Sequence, residues 1–217
     1  MINIEGKQYR VLKTNGSVAE VLAMYNATDS QKFDTKSSYT NIYANNALDV
    51  YCNQTFYNSL STAMQNAIVS KDFRQDSWVW DGGTSAIANY VGTGRGGKYH
   101  YTMSLMSMAY GDPISRKCYV LSTQDIIDYL EVTTSMNATN TTLTDVNIWK
   151  MFWNQTTSPD NSESQWLRSA YADPDEDGAV VTLESSGELN YSYASDRYPV
   201  RPAFQIDLSK VAWTKQG

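Results

Sequence analysis

Apolar positions along this chain fall in short runs whose period changes from two to about 3.6 and back again. "KQYRVLKTNGSVAEVLAMYNA" (7–27) carries apolar residues on both sides of Asn15-Gly16. An Asn-Gly step between two such runs predicts a β-hairpin. Val18, Val21, Leu22 and Met24 also suit the start of a helix, so the second arm stays open. Residues 28–45 are polar and read as loop. Leu48, Val50, Tyr51 and Phe56 predict a short helix over 46–56. Leu60, Met64, Ala67 and Ile68 repeat at helical spacing, and Ser59 or Ser61 can cap that helix.

Residues 71–116 are the least regular. "DSWVWDGG" (76–83) reads as a short strand closed by glycines, "VGTGRGGKYHYT" (91–102) as a glycine loop running into an extended segment. "RKCYVLSTQDIIDYL" (116–130) predicts a strand and then a helix. There Ser122 and Asp125 have the spacing of a capping box, and Ile126, Ile127 and Leu130 face inward. "DVNIWKMFW" (145–153) predicts another short helix. "SQWLRSA", "GAVVTLES", "GELNYSYAS" and "PVRPAFQIDLS" follow as four strand-like pieces. Strands, then helices, then strands, without βαβ alternation, make an α+β class with a mainly antiparallel sheet, a few short helices and long irregular loops. The length suits one domain over 1–217.

Charge changes the picture by exclusion. The net charge is −6, and the 17 Lys and Arg are scattered rather than gathered into a basic stripe, so nucleic acid is not an expected partner. Charged residues are only 18 % of the chain, while Tyr (16) and Trp (6) are numerous; both serve as buried bulk or as amphipathic contact surface. Cys52 and Cys118 lie far apart in apolar segments and read as buried thiols rather than a bridge, nucleophile or zinc site. The one histidine, His100, has no triad partners in its neighbourhood. The N-terminus lacks the basic start and apolar core of a signal peptide, and no apolar run reaches membrane-spanning length. The expectation is synthesis in the cytoplasm with no membrane insertion, whether or not the protein is later displayed at a surface.

Three motifs invite chemistry. Gly92, Gly94 and Gly97 have G-x-G-x-x-G spacing and lead into Lys98, but Tyr99 stands where a P-loop needs Ser or Thr, and a phosphate cradle needs a helix to start there. A plain glycine loop is the expectation. Asp125 and Asp128 read as solvated carboxylates on a helix face, and nothing isolates one carboxyl as a general acid. "DPDEDGAVVTLE" (173–184) has the spacing of a twelve-residue calcium loop.

The C-terminal third carries a resemblance. "SQWLRSA", "AVVTLESSGELNY" and "YPVRPAFQIDLS" resemble a bacterial and phage domain family of unknown function with a W-L-R-S strand, a hairpin and a closing V-R-P-A-F strand. "QYRVL", "FYNSLSTAMQNAI" and "CYVLSTQDIIDYL" are similar to the same family in the same order. Pro199 departs from it, standing where Gly is usual. The family resembles the C-type-lectin-like fold, in the branch of the formylglycine-generating enzymes and of the variable proteins of diversity-generating retroelements, phage receptor-binding proteins among them. The resemblance implies ligand display rather than catalysis, because no cysteine follows Cys118 to make the pair those enzymes use.

The residues point the same way. Asn190, Tyr191, Tyr193, Ser195, Asp196, Arg197 and Tyr198, with Tyr171 upstream, form a set of adaptable donors and flat rings suited to binding a protein or glycan. In an extended segment Tyr191 and Tyr193 share a face. The plain alternative is that these tyrosines pack on a sheet edge. Trp166, Arg168, Arg201, Pro202 and Phe204 are expected to hold the fold, Arg168 or Arg201 against a buried carboxylate. The family pattern puts a strand on either side of the acidic loop, and an extended strand carries Glu184 too far from Gly178 to close an EF-hand. Asp173, Asp175 and Asp177 could still form a partial calcium site, or simply a solvated hairpin tip. A structural module of a virion or cell surface, with a homo-oligomer, is the second reading; an enzyme is the third.

Overall fold

The computed structural model describes residues 1–36, 40–74, 77–80, 99–101, 113–129, 146–154, 164–171, 178–184 and 189–216. Its first strands are β1 (Ile2–Ile4), β2 (Lys7–Asn15) and β3 (Val18–Ala23). Between β1 and β2, Glu5 and Gly6 both take positive φ, 51° and 81°, as a type I′ hairpin turn needs. The predicted second hairpin forms, but Asn15 pairs with Val18, which leaves Gly16 and Ser17 as the loop. Only Gly16 has positive φ (60°), the pattern of a type II′ turn, so the glycine occupies the first turn position and Asn15 closes the strand. The helical alternative for 18–24 loses because β3 lies between two strands with Ala19, Val21, Leu22 and Ala23 buried.

β4 (Thr28–Lys32) lies in the stretch that reads as loop; its polar residues give no apolar signal, and pairing with a C-terminal strand makes it a strand. Next come α1 (Ala47–Val50), a π-helical segment Tyr51–Phe56, and α2 (Tyr57–Ser59), end to end. Asn46 caps them by accepting from Asp49 N at 2.9 Å. α3 (Thr62–Ala67) is capped by Ser61, the second of the two candidate serines. The short strands β5 (Ile68–Val69), β6 (Lys71–Phe73), β7 (Ser77–Trp80), β8 (Tyr99–Tyr101), β9 (Ile114–Arg116) and β10 (Cys118–Tyr119) lead to α4 (Thr123–Tyr129) and α5 (Val146–Trp153). The capping box at α4 forms reciprocally: Asp125 N donates to Ser122 Oγ at 3.1 Å, and Ser122 N to Asp125 Oδ2 at 3.0 Å. The C-terminal strands are β11 (Gln165–Tyr171), β12 (Ala179–Leu183), β13 (Leu189–Tyr193), β14 (Arg197–Val200), β15 (Ala203–Asp207) and β16 (Trp213–Lys215).

Among the described residues the strands form two main sheets. One has the order β10-β15-β3-β2-β1-β16, with β5 also on β15; the other has the order β13-β12-β11-β7-β8. Two ribbons, β4 with β14 and β6 with β9, complete the set. Among the described strands, pairing is antiparallel except between β11 and β7. The α+β class with a mainly antiparallel sheet and short helices therefore stands.

β11 and β12 are buried at every position, which means covered faces on both sides. A run of rings joins their core to the other sheet: Trp166 against Phe33 (5.6 Å between centroids), Phe33 against Tyr43 (6.2 Å), Tyr43 against Phe73 (6.2 Å) and Phe73 against Tyr119 (5.3 Å). Cys52 and Cys118 are buried free thiols, as expected. Burial pushes both thiols up, away from the reactive thiolate.

Candidate functional site: the tyrosine face at the end of the second sheet

β13 is the terminal strand of its sheet among the described residues. Its register with β12 sets Tyr193 opposite Ala179 and Tyr191 opposite Val181, with Ser192 and Asn190 on the alternate positions. Tyr191 and Tyr193 thus share a face, as the two-residue period requires. Tyr171 joins them. Its ring stacks on Tyr191 with centroids 4.3 Å apart and planes 13° from parallel. Tyr171 is only 3 % exposed, so it is the floor under Tyr191, which is half-buried. Tyr193 is 51 % exposed and is the ring presented outward.

The other candidates occupy the turn and strand that follow. Asp196 N donates to Tyr193 O at 2.8 Å, closing a turn through Ala194 and Ser195. Ala194 is buried, Ser195 half-buried, and Asp196 and Arg197 exposed. Arg197 lies opposite Lys32 across the β14–β4 ribbon and donates to Ser30 O at 3.3 Å. Tyr198 turns inward: its ring stands edge-on to Trp166 at 4.9 Å, and its hydroxyl shares a 2.7 Å hydrogen bond with Ser192. Asn190 donates to Glu184. The structure thus brings the eight candidate residues to one corner, with Tyr193, Asp196 and Arg197 outermost, Tyr171 beneath, and Asn190, Tyr191, Ser195 and Tyr198 between.

Two residues that the sequence does not mark, Asp34 and Asn41, reach the same corner. Asp34 N donates to Ala194 O at 2.9 Å, next to Tyr193. Seven residues on, Asn41 Nδ2 donates to Tyr171 O at 3.4 Å.

The acidic loop begins and ends here as well, after Tyr171 and at Gly178, whose carbonyl accepts from Ala194 N at 3.3 Å. Asp173, Asp175 and Asp177 lie outside the described residues, as does the glycine motif of Gly92, Gly94, Gly97 and Lys98. The flanks of the acidic loop are strands, β11 and β12, so the helix-loop-helix frame of an EF-hand is not present. Among the described residues no three His, Cys, Asp or Glu side chains gather as a metal group. His100 falls on β8.

A second polar cluster sits behind the face. Arg168 donates from Nη1 to Asp125 Oδ2 at 2.5 Å and to Val120 O at 2.7 Å. Its guanidinium lies over Phe73 at 4.2 Å. Lys71 Nζ reaches Asp125 Oδ1 at 3.0 Å and Glu20 Oε1 at 2.6 Å, and the Tyr119 hydroxyl donates to Glu20 at 2.6 Å. This corrects the reading of Asp125 as solvated. Its side chain is 14 % exposed and holds two cations, because the capping position that points it back at Ser122 also points it at β11. Asp128 is exposed. Burial acts to raise the Asp125 carboxyl, but Arg168 and Lys71 outweigh it and hold the group well below the usual carboxylate range. The expected buried Arg–carboxylate pair is thus Arg168 with Asp125. Arg201 instead donates to Asn26 Oδ1 at 3.1 Å and to the Phe152 carbonyl at the end of α5, where a cation suits the helix dipole.

No described helix is long and apolar enough to cross a membrane. No curated protein and no solved structure matches the chain. Residues 15–208 match one family, and the chain therefore belongs to the family described as a domain of unknown function, DUF6273.

Proposed function

We propose that this protein is a ligand-display domain with a C-type-lectin-like fold, carried by a phage, prophage or retroelement-diversified bacterial surface protein. It contacts a protein or glycan through the corner built by β13 and the turn after it. The observation that carries this reading is Tyr193. A large ring is 51 % exposed on a strand end near exposed Asp196 and Arg197, and its neighbours Tyr191 and Tyr198 are backed by the buried rings of Tyr171 and Trp166. A rigid aromatic with adaptable polar neighbours gives contact area at low entropy cost. The test is binding of the labelled full chain to a panel of bacterial cells, read by cytometry. Tyr193→Ala and Arg197→Ala should abolish staining while the melting temperature holds. Unchanged staining by both variants overturns the reading.

A calcium ion at Asp173, Asp175 and Asp177 belongs to the proposal as a group that would take part in ligand binding. A melt with calcium and with chelator tests it, because an ion bound only to the folded chain raises the transition. A rise that Asp175→Ala removes supports the site; no shift in the presence of millimolar calcium removes it from the proposal.

Trp213 favours a second reading. It is 43 % exposed on β16, the terminal strand of the first sheet among the described residues, and such a ring on an edge strand suits contact between copies in an assembly module. Light scattering decides: an oligomer that Trp213→Ser dissociates supports the assembly role.

A further inference from the structure

All three residues of β16, Trp213, Thr214 and Lys215, are exposed, although the strand is fully paired along one side. Ile4 lies opposite Trp213, Asn3 opposite Thr214 and Ile2 opposite Lys215. The pairing runs on through Gln216 N, which donates to Met1 O at 3.1 Å. Residues opposite each other in a ladder point to the same face. Trp213 and Lys215 therefore lie on the face of Ile4 and Ile2, which are 1 % and 4 % exposed. Thr214 shares the other face with Asn3 and Gln8. The core face of the first sheet thus runs out to its terminal strand among the described residues and ends on an indole ring 43 % exposed. Edge strands of monomeric proteins are blunted by charge, proline or a bulge. Lys215 fits that practice; Trp213, two residues away on the same face, runs against it.

We propose that β16 pairs antiparallel with β16 of a second copy of this chain, about a two-fold axis through Thr214, so that the first sheet continues from one chain into the other. This rests on the assembly reading and gives it a geometry. The strand's own sequence selects a second copy as the occupant. Antiparallel pairing centred on Thr214 sets Trp213 of each chain opposite the partner's Lys215, twice over, on the face of Ile2 and Ile4. A cation over an indole ring is attracted by it. On the other face Thr214 meets the partner's Thr214, a favourable cross-strand pair. Other registers lose these contacts. A centre at Lys215, or a parallel in-register pair, sets like charges opposite each other, which is destabilising. A centre at Trp213 leaves each Lys215 opposite no ring. The contact is isologous, so it closes at two chains, and no β16 edge remains to recruit a third.

Cross-linking reads the register. At the two-fold centre the Cβ atoms of position 214 stand about 4.5 to 5.5 Å apart, against the roughly 3.5 to 4.5 Å that a disulfide spans. The native thiols of Cys52 and Cys118 are buried and do not compete. The full chain carrying Thr214→Cys is incubated with oxidised glutathione and run on a non-reducing gel. Lys215→Cys, one residue off the axis, and Ser209→Cys, exposed on the turn before the strand, control for random collision. Light scattering of the wild type runs in parallel. The expected result is a concentration-dependent dimer that Thr214→Cys locks covalently in several times the yield of either control. Trp213→Ser should raise its dissociation constant about tenfold or more. An oligomer with no more cross-linking at position 214 than at 209 overturns the strand pairing and keeps the assembly reading. A chain that stays monomeric overturns both; a melt that then falls in Trp213→Ser marks the indole as a cover for the neighbouring core.

Discussion

Arg168 and Arg197 are both borne on C-terminal strands and lie in opposite circumstances. Arg168 is 3 % exposed, paired with Asp125, bonded to the Val120 carbonyl and laid over Phe73. Arg197 is exposed, next to Asp196, opposite another cation, with a 3.3 Å bond to one carbonyl. The same contrast separates Tyr119, buried with its hydroxyl on Glu20, from Tyr193, presented at the corner. Buried charges persist in a fold only when paired and hydrogen-bonded. Exposed ones far from such pairing contribute little to stability. The difference divides the molecule into a clasp that holds the two sheets together and an exposed face at the end of the second sheet.

Breaking the clasp should therefore give the largest effect. Arg168→Ala leaves Asp125 with Lys71 alone in a mostly buried site, and removal of one partner from such a pair costs about 3 to 5 kcal/mol. Urea unfolding reads it as a lower midpoint. A double change, Arg168→Met with Asp125→Asn, should recover part of the loss, because no uncompensated charge remains. If Arg168→Ala shifts the midpoint no more than a surface change does, the division into clasp and face is wrong.

The clasp also has a pH signature with a definite sign. Asp125 in the folded protein lies below its ordinary value, near 3.9 in unfolded chains by the usual scale, roughly. Its stabilisation is fully present above that unfolded value and is lost as pH falls through the lower folded one. Acid titration of stability should fall below about pH 4, and Asp125→Asn should flatten that part of the curve. Raising the pH from neutral should leave this contribution untouched.

Between the extremes stand Tyr191 and Tyr198, each half-buried and each leaning on a buried ring. Tyr191→Ala removes the stack on Tyr171 and uncovers that ring; aromatic pairs contribute about 0.5 to 1.5 kcal/mol beyond buried area, so a loss of roughly 1 to 2 kcal/mol is expected. A melt resolves that from the clasp variant. These two positions bear stability and contact at once, which makes them poor probes of binding.

How much of this was legible follows from what each signal depends on. The hairpin at Asn15-Gly16 and the Ser122–Asp125 box are local, and local chemistry places them to within a residue. The buried role of Arg168 was legible through the family motif, though its partner was not: Asp125 read as solvated because nothing in a helix-face pattern tells which neighbour lies across the sheet. β4 was missed since Thr28–Lys32 contains no apolar residue, and only its antiparallel pairing with β14 makes it a strand. Within the tyrosine set, the two-residue period placed Tyr191 and Tyr193 on a shared face. It did not give depth. That Tyr171 is floor and Tyr193 is surface depends on the stack of Tyr171 on Tyr191 and on where β11 ends, both of which are long-range facts. The contacts of Asp34 and Asn41 at the corner were invisible for the same reason: both go to backbone carbonyls, which leave no mark on residue identity.

The smallest expected effect on stability is at the position of largest expected effect on binding. Tyr193 is 51 % exposed and its alternate neighbours, Ser192 and Ala194, make the inward contacts of that strand end. Tyr193→Ala should therefore move the unfolding free energy by no more than about 0.5 kcal/mol, the usual range for a surface change away from special features. A display residue must be of this kind, because a ring whose energy is already used inside the fold has little surface left to offer a partner. If Tyr193→Ala instead destabilises as much as Tyr191→Ala, the ring is packed against the protein itself, and the corner is an edge of the core. If it leaves the melt unchanged and removes binding, then the contrast with Arg168 holds at both ends: one residue that the fold cannot lose, and one that only a partner would miss.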